Sequence, residues 1–463
     1  MNENIKEFDG IQLNNRDLYR QLANIALPIA IQGVISATLG LVDNLMVGFL
    51  GEVELAAVGI AMQIFFIHYL LLFGFIGGTA TYMAQFYGAG DKARIRKVMG
   101  FAITVSMGFG LIFFVIGRFF TNEFLTIYVD DPQVKALAIQ YVKIGSWTFF
   151  SLALSAPTEM ALKATQQTKV PMVISTIAFT TNTFLNYVLI FGKFGAPAMG
   201  VAGAATATVI ARLLEMTLAF IFCFSKKNYF KGGFLSYFGW DKTLVKKIVK
   251  NALPTTCNEL LWSLGQTMYV AAFSRIGTTP YAGYQAAASI YNIFSFAAFS
   301  IGDAALIMVG QRLGEGKSKE AVVVAKKLIK VGFVVGIITG GLIMLSAWPL
   351  TNLFNLSAYG NYCARRILIV YGFTIWMGIY NGIHITGILR GGGDTTFAML
   401  AESCCVWLVA VPLGFFTSIH LGWPIYFALL AVRSEEIFKG ILMTIRFRYM
   451  KWANTLVEEF EGK

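Results

Sequence analysis

Long apolar segments alternate with short polar ones along this chain. Several run past the roughly 18 residues that a helix needs to cross the hydrocarbon core of a membrane. We predict twelve membrane-spanning helices, six in each half, and hence an all-α integral membrane protein. The predicted spans are 23–48, 54–85, 97–120, 136–160, 169–192, 199–224, 246–275, 281–311, 322–347, 363–388, 396–418 and 423–447. The domains that follow are an N-lobe at 1–224, a cytoplasmic linker at 225–244 and a C-lobe at 245–463.

The two halves share short motifs in the same order. The first two pairs are offset by 226 positions, and the third carries one inserted residue. The pairs are Leu27-Pro28 with Leu253-Pro254, Gln85-x-x-Gly88-x-Gly90 with Gln311-x-x-Gly314-x-Gly316, and Leu162-Lys163 with Leu389-Arg390. We expect two six-helix lobes related by a pseudo-two-fold repeat, a design in which mid-membrane binding sites form.

Pro28 and Pro254 occupy the same place in the two halves, inside the first helix of each lobe. A proline inside a helix removes a backbone hydrogen bond and favours a kink. The matched kinks indicate either a pair of bending gates or a fixed feature of the architecture, and the sequence leaves both interpretations open.

Composition agrees with membrane insertion. The 463 residues are 56% hydrophobic and only 13% charged, against about 25% charged in a typical soluble protein. The net charge of +12 could indicate nucleic-acid binding, but the basic residues cluster in alternate turns, as in 92–97 and 312–330. This is the positive-inside pattern. It predicts that both termini are cytoplasmic and that there is no nucleic-acid partner.

Eight carboxylates lie within or beside the predicted spans. A charge inside a bilayer costs around 2.5–3.5 kcal/mol, so such residues face a cavity, pair with a cation or bind a proton. Asp43 is the strongest candidate, because it lies mid-span with no basic residue nearby. The eight are Asp43, Glu159, Glu215, Glu259, Asp303, Glu402, Glu435 and Glu436.

The motifs together resemble those of the multidrug and toxic compound extrusion (MATE) transporters. The resemblance covers roughly 15–450. It is carried by the Ala-Leu-Pro starts, Val42-Asp43 with Val47-Gly48, Leu55–Gly59, Gln85–Gly90 and Ile388–Thr395. It implies an antiporter that exports organic, often cationic, compounds against inward protons or sodium ions. It also implies a monomer in the bacterial inner membrane, in contact with lipid, with small organic cations as cargo and no cofactor beyond the coupling ion.

The resemblance further implies a coupling site in the first lobe, formed by Asp43, Asn182, Asn186 and Thr206. Asn182 and Asn186 are four residues apart and therefore share a helix face. Some family members carry a second carboxylate where this chain has Asn186. The site could thus bind sodium weakly, or work by protonation of Asp43 alone. A purely structural polar cluster is the other interpretation.

In the second lobe the resemblance points to Glu259 for coupling or for cationic cargo. In some members the acidic residue is nearer position 262, where Trp262 shares a face with Glu259. Asp303 is a weaker candidate, since it could instead form a buried interhelical hydrogen bond. His384, one turn after Tyr380, is either a proton relay or a structural hydrogen-bonding group.

Two other functions compete with transport. Gly88–Asp91 and Gly391–Asp394 match the Gly-x-Gly-Asp pattern of intramembrane proteases, but the sequence holds no Tyr-Asp partner motif. These stretches are better explained as turns at helix ends, so we predict no enzyme. A flippase of lipid-linked substrates stays as the alternative; it would require basic residues in its cavity, and mid-span Lys and Arg are scarce.

Overall fold

The computed structural model describes residues 13–225, 230–354 and 356–461. The start of the N-terminal polar segment, part of the linker (226–229) and the last two residues lie outside the described ranges. Those ranges contain helices and turns, and no strand. Helices suit the apolar sequence, because every backbone polar group inside a bilayer must be satisfied within its own segment.

The first half contains eight helices. They are α1 (Asn15–Gly48), α2 (Glu52–Gly88), α3 (Lys92–Phe119), α4 (Thr121–Thr126), α5 (Pro132–Gly145), α6 (Thr148–Ala164), α7 (Lys169–Phe191) and α8 (Val201–Cys223). The predicted span 136–160 corresponds to two helices, α5 and α6, which are separated at Ser146 and Trp147. Asp131 begins α5 as an N-cap by accepting hydrogen bonds from the backbone of Gln133 and Val134, and Pro132 suits the first position.

The second half follows a short 3-10 turn at Phe234–Tyr237. Its helices are α9 (Lys242–Ser274), α10 (Thr278–Gly314), α11 (Ser318–Thr351), α12 (Ala358–Gly382), α13 (Thr395–Cys405), α14 (Val411–Phe415), α15 (Ile425–Arg433), α16 (Glu435–Arg448) and α17 (Glu458–Glu461). π-Helical stretches extend α12 over Ile383–Leu389 and flank α14 at Val406–Ala410 and Phe416–His420. The last predicted span, 423–447, is divided at Ser434 into α15 and α16.

Nine helical segments of the described chain are long and apolar enough to cross a membrane. They include α1, α2, α3, α7, α8, α10 and α11. The other two are Ala358–Leu389 and Thr395–His420, each of which joins a helix to its π-helical extension. The remaining predicted spans coincide with α9, whose first nine residues include four lysines, and with the two divided segments.

Two compact units are present. The first contains residues 31–79 and 91–248, and the second contains the described residues up to 30, residues 80–90 and those from 249 onward. The units differ from the predicted lobes in three places. The start of α1 and the end of α2 belong with the second unit, and the start of α9 up to Ile248 belongs with the first. The division of the sequence at 225–244 stays a prediction.

The repeated glutamine–glycine motif forms a reciprocal contact inside the second unit. A Cβ on Gly88 would collide with the backbone oxygen of Gln311, and a Cβ on Gly314 would collide with that of Gln85. Each copy of the motif thus contacts the other through equivalent positions, which is the geometry of a local two-fold axis. Both glycines are required, since they allow α2 and α10 to touch backbone to backbone.

The two turns that match the protease pattern are helix ends, as expected, and the turn at Gly316 has the same form. Gly90, Gly316 and Gly393 adopt left-handed backbone with φ of 73°, 73° and 77°, the conformation that ends helices at glycine. Asp91 then caps α3 by accepting the backbone N–H of Arg94 at 2.9 Å. Asp394 instead forms a bidentate ion pair with Arg446, at 2.6 and 2.9 Å.

Candidate functional site

Asp43 forms a hydrogen-bonded cluster with both predicted asparagines in the first unit. Asn186 Nδ2 donates to Asp43 Oδ1 at 2.6 Å and to Asn182 Oδ1 at 3.0 Å. The side chains of Asn182 and Asn186 are each 1% exposed, while Asp43 on α1 is half-buried. The four-residue spacing on α7 therefore puts both amides on the face that meets α1.

The threonine in this cluster is Thr208 and not Thr206. Asn182 Nδ2 donates to Thr208 Oγ1 at 3.3 Å, and Tyr141 of α5 also hydrogen-bonds Thr208. Thr206 donates to the carbonyl oxygen of Ala202 on its own helix at 2.8 Å. Positions two apart on a helix face different directions, so only one of the two threonines can reach Asn182.

A cavity opens beside this cluster, within the first unit. Asn182 and Thr208 lie in its wall, and Arg212 and Glu215 add charge one turn further along α8. The lining residues are Ile35, Ser36, Leu39, Ser175, Ala178, Phe179, Asn182, Thr208, Ala211, Arg212 and Glu215. Arg212 Nη1 forms an ion pair with Glu215 Oε2 at 2.6 Å. The positive charge of the guanidinium is therefore balanced within the cavity wall.

Gln32 of α1 connects Glu159 of α6 to Ser175 in the cavity wall. Gln32 of α1 donates from Nε2 to Glu159 Oε2 and to Ser175 Oγ, both at 2.9 Å. Lys163, four residues after Glu159, is within its electrostatic range. Acidic side chains therefore outnumber basic ones here: there are three carboxylates (Asp43, Glu159 and Glu215) and two cations (Arg212 and Lys163). This acidic excess suits a positively charged ligand.

Glu259 in the second unit is paired rather than free. Arg390 Nη2 donates to Glu259 Oε1 at 2.5 Å, and the Arg390 side chain is 3% exposed. Asp303 lies within electrostatic range of Glu259, and Trp262 on the same helix face is half-buried. Arg390 comes from the repeated Leu-Lys/Arg motif, so sequence reasoning recognised the motif and missed its partner, 131 positions away.

Tyr380 and His384 are neighbours, as their spacing predicted. His384 Nδ1 hydrogen-bonds the carbonyl oxygen of Tyr380 at 2.8 Å, and the Tyr380 hydroxyl is 2.7 Å from Thr444 Oγ1. The imidazole is fully buried, and its Nε2 has no hydrogen-bond partner in the described part of the chain. Both the relay and the structural interpretation of His384 remain compatible with this geometry.

The two prolines lie near the points where their helices pass between units. α1 leaves the second unit for the first between Ala30 and Ile31, two residues after Pro28. α9 enters the second unit at Val249, five residues before Pro254. Both prolines are inside continuous helices. A gating role stays a prediction that this placement supports.

Comparison with known proteins identifies the family. The family model described as MatE matches residues 28–188 and 254–416. The chain belongs to the MatE family. The two matched segments begin 226 positions apart, at 28 and 254, which is the offset of the repeat. The resemblance noted from the sequence motifs is thereby confirmed.

Curated relatives of this MatE chain match it over most of their length. A probable multidrug resistance protein NorM of Thermotoga maritima is 23% identical over 95% of this chain and 94% of its own. A NorM homologue of Pasteurella multocida is 26% identical over 86% and 85% of the two chains. The multidrug resistance protein MdtK of Edwardsiella ictaluri is 25% identical over 86% and 87%.

Solved structures share the fold at low identity. A crystal structure of MATE in complex with MaL6 has a TM-score of 0.85 at 17% identity and covers 94% of this chain and 97% of its own. The outward-facing conformation of a multidrug resistance MATE family transporter has a TM-score of 0.84 at 17% identity, covering 93% and 96%. This MatE protein is therefore a multi-pass, all-α membrane transporter with twelve spans in two six-helix lobes, and not an enzyme.

Proposed function

We propose that this protein exports small organic cations from the cell by antiport against inward protons, with Asp43 as the coupling carboxylate. The single observation that carries the proposal is the chain Asp43–Asn186–Asn182–Thr208, which runs from a membrane carboxylate to a cavity wall. The charged residues in and around this cavity include more carboxylates than cations. The names of the curated relatives, which refer to multidrug resistance, support export of this kind.

The hydrogen-bond directions favour a proton over sodium. Asn186 points its amide N–H groups at Asp43 Oδ1 and Asn182 Oδ1, so both of these oxygens already accept hydrogen bonds. A sodium ion needs several free oxygens that converge on one point. In this arrangement the carboxylate of Asp43 can take up a proton, whereas sodium would first require Asn186 to turn its Oδ1 inward.

Antiport follows if proton and cargo compete for the same negative charge. A protonated Asp43 no longer favours a cation in the neighbouring cavity, and a bound cation opposes protonation. Differential binding of two ligands to one site is sufficient to couple their movements. In this proposal the protein works as a monomer in the bacterial cell membrane, with its basic turns and both termini on the cytoplasmic side.

A flippase of lipid-linked substrates is the second candidate, and Arg212 in the cavity wall is the observation that favours it. Its guanidinium could hold a diphosphate. The 2.6 Å pair with Glu215 counts against this function, since the charge of Arg212 is already balanced.

The proposal is tested by dye efflux in everted vesicles, with an imposed pH gradient compared against an imposed sodium gradient. We expect a cationic dye to move with the pH gradient alone. If the dye moves only with the sodium gradient, the coupling ion is sodium and the proposed proton coupling is wrong. Movement of an anionic lipid analogue, with no transport of the cation, would favour the flippase.

A further inference from the structure

A buried lysine in the second unit is surrounded by three carboxylates. Lys439 Nζ lies 3.7 Å from Glu402 Oε1, 3.6 Å from Glu435 Oε1 and 3.7 Å from Glu436 Oε2. Its side chain is 3% exposed. Glu435, Glu436 and Lys439 share one face of α16, and Glu402 comes from α13. We call these four residues, with Arg433, the Lys439 network.

The three carboxylates are not equally satisfied. Glu436 also pairs with Arg433 at 3.4 Å and accepts a hydrogen bond from Asn381 at 2.7 Å. Glu402 accepts a hydrogen bond from Asn258 at 2.7 Å. Glu435 is 3% exposed, and its Oε2 has no hydrogen-bond partner among the described residues.

The network carries more negative than positive charge. It contains three carboxylates (Glu402, Glu435 and Glu436) and two cations (Lys439 and Arg433), which leaves an excess of one carboxylate. Glu259 of α9 is within electrostatic range of Glu402, and its charge is balanced by Arg390. The other titratable groups in range are the Cys405 thiol of α13 and the phenols of Tyr269, Tyr284 and Tyr291, which are neutral in their ordinary protonated forms.

An unpaired charge in a buried network is expensive, and a group in that position binds a proton when one can reach it. The Glu402 side chain is the most exposed carboxylate of the network, at 14%, whereas that of Glu435 is only 4% exposed. The Oε2 atom of Glu435 has no hydrogen-bond partner among the described residues. A proton bound at this atom would form a carboxyl O–H and remove the unpaired charge.

We propose that the Lys439 network is a second proton-binding site, in which Glu435 takes up one proton to form a carboxylic acid and returns to the carboxylate when it releases that proton. Its place in a transport cycle rests on the proposed function, but the binding of the proton does not. A protein with this site would bind protons in both halves, through unrelated side chains that the repeat does not duplicate.

The test measures proton uptake by the purified full-length protein in weakly buffered detergent solution, as the pH falls from alkaline to mildly acidic. Wild type is compared with Glu402→Gln, Glu435→Gln and the double variant. Glu123→Gln is the matched control, because it removes an exposed glutamate on α4, outside the Lys439 network. Thermal unfolding of each variant confirms that it is folded.

Each single variant should take up about one proton fewer than wild type, because it leaves two carboxylates against two cations. The double variant should lose no more than either single variant, since both remove the same shared proton. Uptake equal to wild type in both single variants would show a fixed ion-pair network and overturn the proposal. No cargo or gradient is used, so a failure of efflux in wild type would leave this result intact.

Discussion

Asn186 on α7 donates a hydrogen bond to Asp43 on α1 at 2.6 Å, across 143 positions of sequence. The same amide nitrogen also donates to Asn182, whose own amide donates to Thr208 at the cavity wall. In the proposed mechanism, a change in the charge of Asp43 alters the hydrogen bonding of this short polar chain, which ends at the cavity wall. A carboxylate that serves only packing would not change transport in this way, and the variants below separate the two roles.

The choice between Thr208 and Thr206 gives a matched pair of variants. Thr208→Val removes the acceptor of Asn182, a hydrogen bond worth about 1 kcal/mol, and should reduce proton-driven dye efflux by about fivefold. Thr206→Val removes only a bond to its own helix and should leave efflux close to wild type. Initial efflux rates in vesicles, normalised to the amount of protein, check this. Equal losses in the two variants would show that the cluster is assigned to the wrong threonine.

The charge balance of the cavity should set its preference for cations. Glu215→Gln leaves Arg212 unpaired in the wall and should weaken binding of a cationic dye by about tenfold, or ~1.4 kcal/mol. Arg212→Gln removes the cation and should strengthen binding. Fluorescence titration of the dye on purified protein measures both. If the two variants shift affinity in the same direction, charge is not what selects the cargo.

The buried pair of Glu259 and Arg390 should be a stability element. Glu259→Gln leaves the guanidinium without a counter-charge, and breaking a buried pair in this way costs about 3–5 kcal/mol. Replacing both residues with methionine removes the unpaired charge and should recover most of that loss. Thermal unfolding in detergent compares the variants. A single variant as stable as wild type, but with impaired efflux, would instead support the coupling role expected for Glu259.

The reciprocal contact of the repeat can be tested at both copies. Gly88→Ala and Gly314→Ala each place a methyl group against a backbone oxygen and should destabilise the protein by about 1–3 kcal/mol. Gly108→Ala on α3 is the control, since nothing lies within 4 Å of its Cβ position and alanine favours a helix. Unfolding temperatures should fall for the first two variants and stay constant or rise for the third. A different ranking would contradict the close approach of α2 and α10.

Much of the architecture follows from the sequence, because apolar length and the repeated motifs are strong signals. The break at Ser434 is not predictable, since no proline or glycine marks it. Gly145 marks the break at Ser146–Trp147, but a single glycine among 46 in the chain is too weak a signal to divide a long apolar run. Asp43, Asn182 and Asn186 were identifiable through resemblance and helical spacing. Thr208 was missed, because the spacing of residues does not show which face of α8 turns toward α7.

The buried cations of the second half were missed for a related reason. Arg390 and Lys439 are basic residues in apolar surroundings, and their partners Glu259 and Glu402 lie on other helices, far along the chain. Sequence spacing finds partners on the same helix, such as Arg212 and Glu215. Partners on neighbouring helices are found only once the packing is known.

The central claim is most directly tested with Asp43→Asn, reconstituted into liposomes beside wild type. Asp130→Asn is the control, because Asp130 is exposed in the turn before α5. With an imposed pH gradient, wild type and Asp130→Asn should transport a cationic dye, and Asp43→Asn should transport none although it is folded. Dye transport by Asp43→Asn at the wild-type rate, still driven by the pH gradient, would contradict the account.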